Sequence, residues 1–344
     1  MGRWHGASGV MSLKAAAFLA LCPLIHAQTP ESIAEPVRQI AFVSCLKQTH
    51  PAPAMDAIAA LKPDVFVWMG DNIYGDSEDM AVLTSMYQEV RELPAYALIR
   101  SRARVIGTWD DHDYGANDAG KEFPMKAESQ QVFLDFLDVS ESSPRRKREG
   151  VYSVSDFGPP GKMVRVISLD TRYFRDEIGS NGTMLGEVQW KWLEKMLSGS
   201  SAEVNVIVSS IQVLPAEHRF EKWENFPKER QRLLDLLAKP EMPPVLLLSG
   251  DRHMAEISLD EESCGYPLYE ITSSSLNLPI GSGDEPNRSR VGALYRPSNF
   301  GTLSIDWGDR WGNEKNAKPL PILTACIRDE EGRPQRALSF ELKR

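Results

Sequence analysis

The sequence predicts an α/β protein, and three observations carry that prediction. Six short apolar runs rich in Val and Ile recur between residues 39 and 250. Segments with apolar residues at helical spacing lie between them. The final stretch of the chain turns to strand-like runs with no helical pattern between them. Apolar runs of this length that lack alternation are those of strands buried on both faces. The composition suits such a protein: 344 residues, 42% hydrophobic and 25% charged, give one large domain or two smaller ones.

Along the chain, QIAFVSC (39–45) is the first strand and PAMDAIAALKP the first helical segment. DVFVWMG (64–70) is followed by the helical pattern of DMAVLTSMYQEVREL. ARVIGTW (103–109) precedes SQQVFLDFLDV, and MVRVISL (163–169) precedes GEVQWKWLEKML. VNVIVSS (204–210) leads into KERQRLLDLLAKP, and PVLLLSG (244–250) closes the alternation. YPLYEITSSS, GTLSIDW, ILTACIRDE and RALSFELK then read as consecutive strands, a β-rich extension of the same domain. The stretches 142–150 and 281–290 read as exposed loops, the basic run of the first as a solvated face.

The N-terminus reads as an export signal over residues 1–27. Lys14 precedes the apolar run AAAFLALCPLI, and small Ala27 suits the last position before cleavage. That run is shorter than the ~20 residues needed to span a bilayer, and no later segment could do so. Residues 28–37 are a short lead, and 38–344 form the domain. Export would be to the periplasm or the exterior. The mature chain keeps Cys45, Cys264 and Cys326, an odd number for an oxidising compartment. Cys264 and Cys326 both lie in the C-terminal third and are expected to pair. Cys45 is then free, a liability unless a metal occupies it. A net charge of −9 suggests neither a nucleic-acid nor an anionic-membrane partner, and would repel an anionic substrate unless metal ions reverse the local sign.

Four strands end on polar residues. FVSC delivers Cys45; VWMGDNIY delivers Asp71, Asn72 and Tyr74; VIGTWDDHD delivers Asp110, Asp111, His112 and Asp113; VLLLSGDRH delivers Asp251, Arg252 and His253. In an open α/β sheet, ligands bind beyond the carboxyl ends of the strands, so these ends are expected to meet in one crevice. Acids that close to a core are costly unless paired or bound to metal. Thiolate, phenolate, imidazole and carboxylates make a mixed donor set. Phenolate and carboxylate suit ferric iron, and the surplus carboxylates, with Asn72 or Asn117, resemble an oxygen-rich calcium shell. Asp71 is central enough to bridge two ions. Asp76 and Asp79 are expected only to solvate a loop.

The GDNIY stretch resembles the Gly-Asp-x-x-Tyr motif of calcineurin-like metallophosphatases. The accompanying SC, WDDHDYG, SGDRH, SLDTRYFR, YEITSSSLN and NFGTLSIDW are similar to the alkaline phosphatase D (PhoD-like) family, over about residues 38–308. The resemblance implies a four-layer αββα sandwich and cleavage of phosphate mono- and diesters at an iron–calcium centre. Carried over by position, Cys45, Asp71, Tyr74 and Asp251 would hold Fe3+. Asp71 would bridge to Ca2+, which Asp110 and Asn117 would support, with Asp111 the alternative to Asp110. His253 would close the site and Arg172 would face phosphate, unless it forms an ion pair with Asp170 or Asp176. The expected reaction is hydrolysis of a small-molecule or lipid-derived phosphate ester by a metal-activated hydroxide, with His112 delivering a proton to the leaving oxygen and Asn72 a further catalytic candidate. Longer relatives carry a β-domain before the first motif, which has no counterpart in the ten residues between Ala27 and the first strand. A carboxylate-based glycoside hydrolase would leave Cys45 and Tyr74 unexplained. An exported calcium-dependent binding module would leave Arg172 and the iron donors unexplained.

Overall fold

The structure, a computed structural model, describes residues 1–3, 35–308 and 320–344. Apart from residues 1–3, the expected export signal lies outside the described residues, as does most of the lead that follows it. The first half alternates as the apolar runs predict. Strand β1 (Gln39–Val43) leads to helix α1 (Pro53–Leu61), and β2 (Val65–Met69) to α2 (Met80–Glu92) and α3 (Pro94–Arg100). Strand β3 (Arg104–Thr108) leads to the single turn α4 (Asp111–Tyr114) and to α5 (Lys126–Phe136). The second half repeats the scheme with β4 (Ser153–Phe157), β5 (Val164–Ser168), α6 (Gly186–Ser198), β6 (Val204–Ser209), α7 (Pro227–Ala238) and β7 (Leu246–Ser249). Six strands complete the chain: β8 (Ala255–Asp260), β9 (Leu268–Ser273), β10 (Arg290–Tyr295), β11 (Asn299–Asp306), β12 (Ile322–Asp329) and β13 (Pro334–Glu341).

These strands form two sheets. One has the order β13-β12-β11-β1-β2-β3, the other β10-β8-β9-β7-β6-β5-β4. Strands β1, β2 and β3 run parallel, as do β5, β6, β7 and β9; the remaining pairs are antiparallel. The sheets face one another across a core that includes Phe42, Val67, Val166, Val206, Leu248, Leu303 and Ile327. Helices α1, α2, α3 and α5 cover the outer face of the first sheet, and α6 and α7 that of the second. Each sheet thus buries both faces, which is why its parallel strands read as unbroken apolar runs. The result is the four-layer αββα sandwich that the resemblance implied.

The C-terminal strands do not stay together. β9 and β10 join the second sheet, whereas β11 returns to pair with β1 in the first. That division also overturns the expected disulfide. Cys264, in the turn after β8, packs behind the second sheet with its Sγ toward the Leu234 carbonyl. Cys326 lies on β12 of the first sheet, and both thiols are free. An odd cysteine count and a shared place in the C-terminal third suggest a pairing that the two-sheet topology separates. The basic run at 144–148 is not simply solvated either. Gln130 donates to the carbonyls of Arg145 and Arg148, while Arg146 donates to the Val139 carbonyl. No helix among the described residues is long and apolar enough to cross a membrane.

Candidate metal centre

The predicted polar strand ends do meet, but they come from the facing edges of two sheets rather than from one. Cys45 follows β1, Asp71 follows β2, Asp110 and Asp111 follow β3, and Asp251 and His253 follow β7. The backbone turns sharply at each exit. Cys45, Asp71, Asp251 and His253 all have φ between 51° and 68°, a left-handed conformation unusual for residues with a side chain. Glycines immediately precede two of them because there is no room for more. A Cβ on Gly70 would lie 2.5 Å from the Cβ of Asp110, and one on Gly250 would lie 2.5 Å from the Oγ of Ser44. These turns aim the side chains inward, where the N–H of Leu46 donates to the Asp71 carbonyl at 2.9 Å and ties the first two exits together.

Asp71 is the hub. Its Oδ2 lies 3.3 Å from the Cys45 Sγ and 3.3 Å from the Tyr74 hydroxyl. Three groups of donors each gather within 4.8 Å: Cys45, Asp71 and His253; Asp71, Asp111 and His112; Asp71, Asp110 and Asp251. Asp71 belongs to all three, as a bridging carboxylate must. The Tyr74 hydroxyl also lies 3.3 Å from Nε2 of His253. His253 Nδ1 is 2.7 Å from the Leu278 carbonyl, which can only accept, so Nδ1 carries the hydrogen and Nε2 turns its lone pair to the cluster.

The electrostatics of so many acids are unfavourable for the protein alone. Burial, with the neighbouring Cys45 and aspartates, pushes the Asp71 carboxyl well above the usual range. Burial and Asp110 do the same to Asp251. Burial drives the Cys45 thiol up to about 11 and the Tyr74 phenol upward as well. Burial also lowers His253, keeping its imidazole neutral. Asp71 Oδ1, Asp110 Oδ2, Asp111 Oδ1 and Asn72 Oδ1 are buried with no hydrogen-bond partner. A cation reverses each of these penalties, since it favours every deprotonated donor and satisfies the orphaned oxygens. The donor set fits metal ions.

A scan against protein families matches residues 40–295 to the family of PhoD-like phosphatases. The chain belongs to this family. Alkaline phosphatase D of Bacillus subtilis (strain 168) is 27% identical over 322 residues, covering 76% of this chain. The chain spans about half of that relative's length, 54%. Among solved structures, one of PhoD is similar with a TM-score of 0.65 at 17% identity, covering 92% of this chain and 73% of the other. A purple acid phosphatase from yellow lupin (Lupinus luteus) seeds gives 0.64 at 12% identity, covering 91% and 55%. GAP50, the anchor in the inner membrane complex of Plasmodium, gives 0.61 at 12% identity, covering 90% of each chain. These likenesses place the fold among metallophosphatase sandwiches.

Within that PhoD-like frame several expected residues take other places. Arg172 does not face the crevice. It is fully buried, with Nη2 2.5 Å from Asp110 Oδ1 and 2.6 Å from Glu221 Oε2, and Nε 2.6 Å from the same Asp110 oxygen. Neither expected ion-pair partner holds it. Asp170 instead accepts the Arg172 backbone N–H at 2.9 Å, and Asp176 pairs with Lys121. Arg172 therefore fixes the Oδ1 side of Asp110 and leaves Oδ2 to point elsewhere. Asn117 is exposed, within the turn that the N–H of Asp118 closes by donating to Asp111 Oδ2 at 2.7 Å. Asp111 rather than Asn117 joins the cluster, and Asp251 groups with Asp110 rather than with Cys45. Asn72 is buried, its amide donating to Thr108 O at 3.1 Å and to Asp113 at 2.5 Å. Asp76 is more than loop solvation: both its oxygens lie 2.8 Å from Nδ1 of His112. Burial lowers the basicity of His112, but the Asp76 hydrogen bond and the Asp111 and Asp110 charges outweigh it and hold the ring's pKa up. Sequence reading missed Glu221, which sits in HRFEKWEN among surface-like charges, and the Ser274 hydroxyl, 3.2 Å from the Cys45 Sγ.

Proposed function

We propose that this chain is an exported, metal-dependent phosphoester hydrolase of the alkaline phosphatase and phosphodiesterase type. One observation carries the reading: a single buried carboxylate, Asp71, shared by three donor groups at the meeting of two sheets. Cys45, Asp71, Tyr74 and His253 would hold an iron ion. Asp71, Asp110, Asp111 and Asp251 would hold a calcium ion, with the Asn72 oxygen within the same buried set. When bound, such ions polarise phosphate oxygens and lower the pKa of a water.

The chain's own residues do the rest. Arg172, locked between Asp110 and Glu221, holds the Asp110 carboxylate in one orientation. Leu278 fixes the His253 tautomer. His112, with Nδ1 hydrogen-bonded to Asp76 and its ring 4.3 Å from that of Tyr74, keeps Nε2 for a proton at the leaving oxygen. No protein nucleophile is required.

Elemental analysis of the purified protein, together with hydrolysis of a panel of phosphate mono- and diesters, tests this. The expected outcome is iron plus calcium, a visible charge-transfer band, and turnover that a calcium-preferring chelator abolishes and added calcium restores. Tyr74→Phe should remove or shift the band. A colourless, iron-free protein with full activity sinks the iron assignment, and full activity after verified calcium removal sinks the mixed centre.

A further inference from the structure

The loop between β6 and α7 and the turn after β7 leave adjacent parallel strands at the same rim as the acidic cluster. Together they bury three basic side chains. His218 and Lys222 are each 6% exposed and Arg252 is 5% exposed. Buried bases are ordinarily matched by acids. Neither ring nitrogen of His218 has a protein partner, and neither does the Nε of Arg252. Lys222 Nζ donates to a backbone carbonyl, that of Phe220, at 3.1 Å. Glu285 lies 2.5 Å from Arg252 Nη2 and is shared by Arg296 at 3.2 Å, while the charges of Glu224 and Asp251 act on Lys222 and Arg252.

The three bases are held as a unit. The Arg252 guanidinium stacks on the Phe220 ring at 4.2 Å, and the His218 ring centre lies 6.3 Å from that of Phe220. Burial, then the charges of Arg252 and Lys222, depress the His218 imidazole to about 3. Burial and Arg252 likewise lower Lys222. The unit is also fixed to the acidic cluster. Arg252 sits between Asp251 and His253 in the chain. Glu221, next to Lys222, pairs with Arg172, which pairs with Asp110. Lys222 and Arg252 are thus each one residue in the chain from a group tied to the acidic cluster.

We propose that His218, Lys222 and Arg252 form an anion subsite that takes a second phosphate group of the substrate while the acidic cluster engages the first. The inference rests on the hydrolytic reading of the neighbouring cluster. A phosphate supplies acceptor oxygens to the unpartnered His218 ring and Arg252 Nε, and a negative charge beside the Lys222 ammonium. The substrate class is then a phosphate ester carrying a further phosphate on the leaving side.

Calorimetric titration of the metal-loaded protein with propane-1,3-bisphosphonate and with propylphosphonate tests the subsite without requiring turnover. Wild type should bind the bisphosphonate at least about tenfold more tightly. In His218→Leu and in Lys222→Met that advantage should shrink to within about twofold, with propylphosphonate affinity unchanged. Equal affinities in wild type overturn the proposal, whatever the variants do. An advantage retained in both folded variants also overturns it, because it would then come from the metal ions alone. A bisphosphonate advantage that depends on these residues, in a loaded protein that hydrolyses no phosphate ester, supports the subsite and refutes the hydrolytic reading instead.

Discussion

Asp71 and Asp170 each follow a central parallel strand, and each is sealed from solvent. Their surroundings are opposite. Asp170 accepts from Trp109 Nε1 and from the backbone N–H groups of Arg172, Tyr173 and Val151, all at 2.8–2.9 Å. Asp71 meets a thiol, a phenol and other carboxyls, and its Oδ1 has no protein partner. The protein completes the bonding of the first aspartate and withholds it from the second. A carboxylate that knits loops together and one reserved for an ion are told apart by what donates to them, not by burial or by place on the strand.

Exchanging the chemistry of the two should therefore break different properties. The largest expected effect is on turnover. Asp71→Asn should lower kcat/KM by about a thousandfold, roughly 4 kcal/mol, and empty the metal site. The stability of the metal-free protein should hold or rise, because a crowded acid has gone; a kinetic assay with metal analysis and a thermal melt checks both. Asp170→Ala should do the reverse. Four N–H donors would lose their acceptor, costing about 3–4 kcal/mol and lowering the Tm of the metal-free protein by several degrees.

Arg172→Lys sharpens the contrast, since Arg172 belongs to both worlds through its backbone bond to Asp170 and its side-chain bonds to Asp110. One ammonium cannot reproduce the bonds of its Nε and Nη2 to Asp110 and Glu221, so stability should fall by about 2 kcal/mol and metal content with it. Unchanged stability and metal content with a raised KM would mean that Arg172 reaches phosphate after all.

The smallest effect concerns Glu270, which lies between the two extremes. It accepts the N–H groups of Val213 and Leu214, yet burial, with a smaller contribution from Glu256, raises its pKa to about 6. The folded protein therefore holds this proton more tightly than the unfolded chain. The associated stability is fully present below the unfolded value near 4.5 and is lost as pH rises through 6, by about 2 kcal/mol. Chemical denaturation at pH 4.5 and pH 7 should show that drop in wild type relative to Glu270→Gln. A constant difference across the range would refute it.

Much of the fold was legible because burial on both faces leaves an apolar run that few other environments tolerate. The six runs correspond to strands within one or two residues, and five helical patterns to α1, α2, α5, α6 and α7. Strands β4, β8 and β10 were not anticipated, β4 and β10 being only partly buried, and α3 continues directly from α2. Which sheet a strand joins was not legible, since periodicity reports environment and not neighbours. That is why the crevice was expected on one sheet and why Cys264 was matched with Cys326. At the centre, the donor types could be read from Cys45, Asp71, Tyr74 and His253, because acids and thiols at the ends of apolar runs need a reason. The direction of Arg172 could not, for SLDTR suits a side chain turned either way. Nor could the partnership with Glu221, 49 residues further on, whose local sequence looks solvated.

Strand β1 lies between β2 and β11, and this fixes an order of events in the life of each molecule. Its partner β2 is made about 20 residues later, but β11 comes about 260 residues later. At roughly 5–20 residues per second, that interval is on the order of 13–50 s. Over that time one edge of β1 stays without its β11 partner. The Cys45 thiol at its tip likewise lacks the Ser274 hydroxyl until residue 274 has been made. Completion of the surroundings of Cys45 is consequently a late step that follows long-range closure. The nascent chain therefore carries a free thiol and an open strand edge together over that interval.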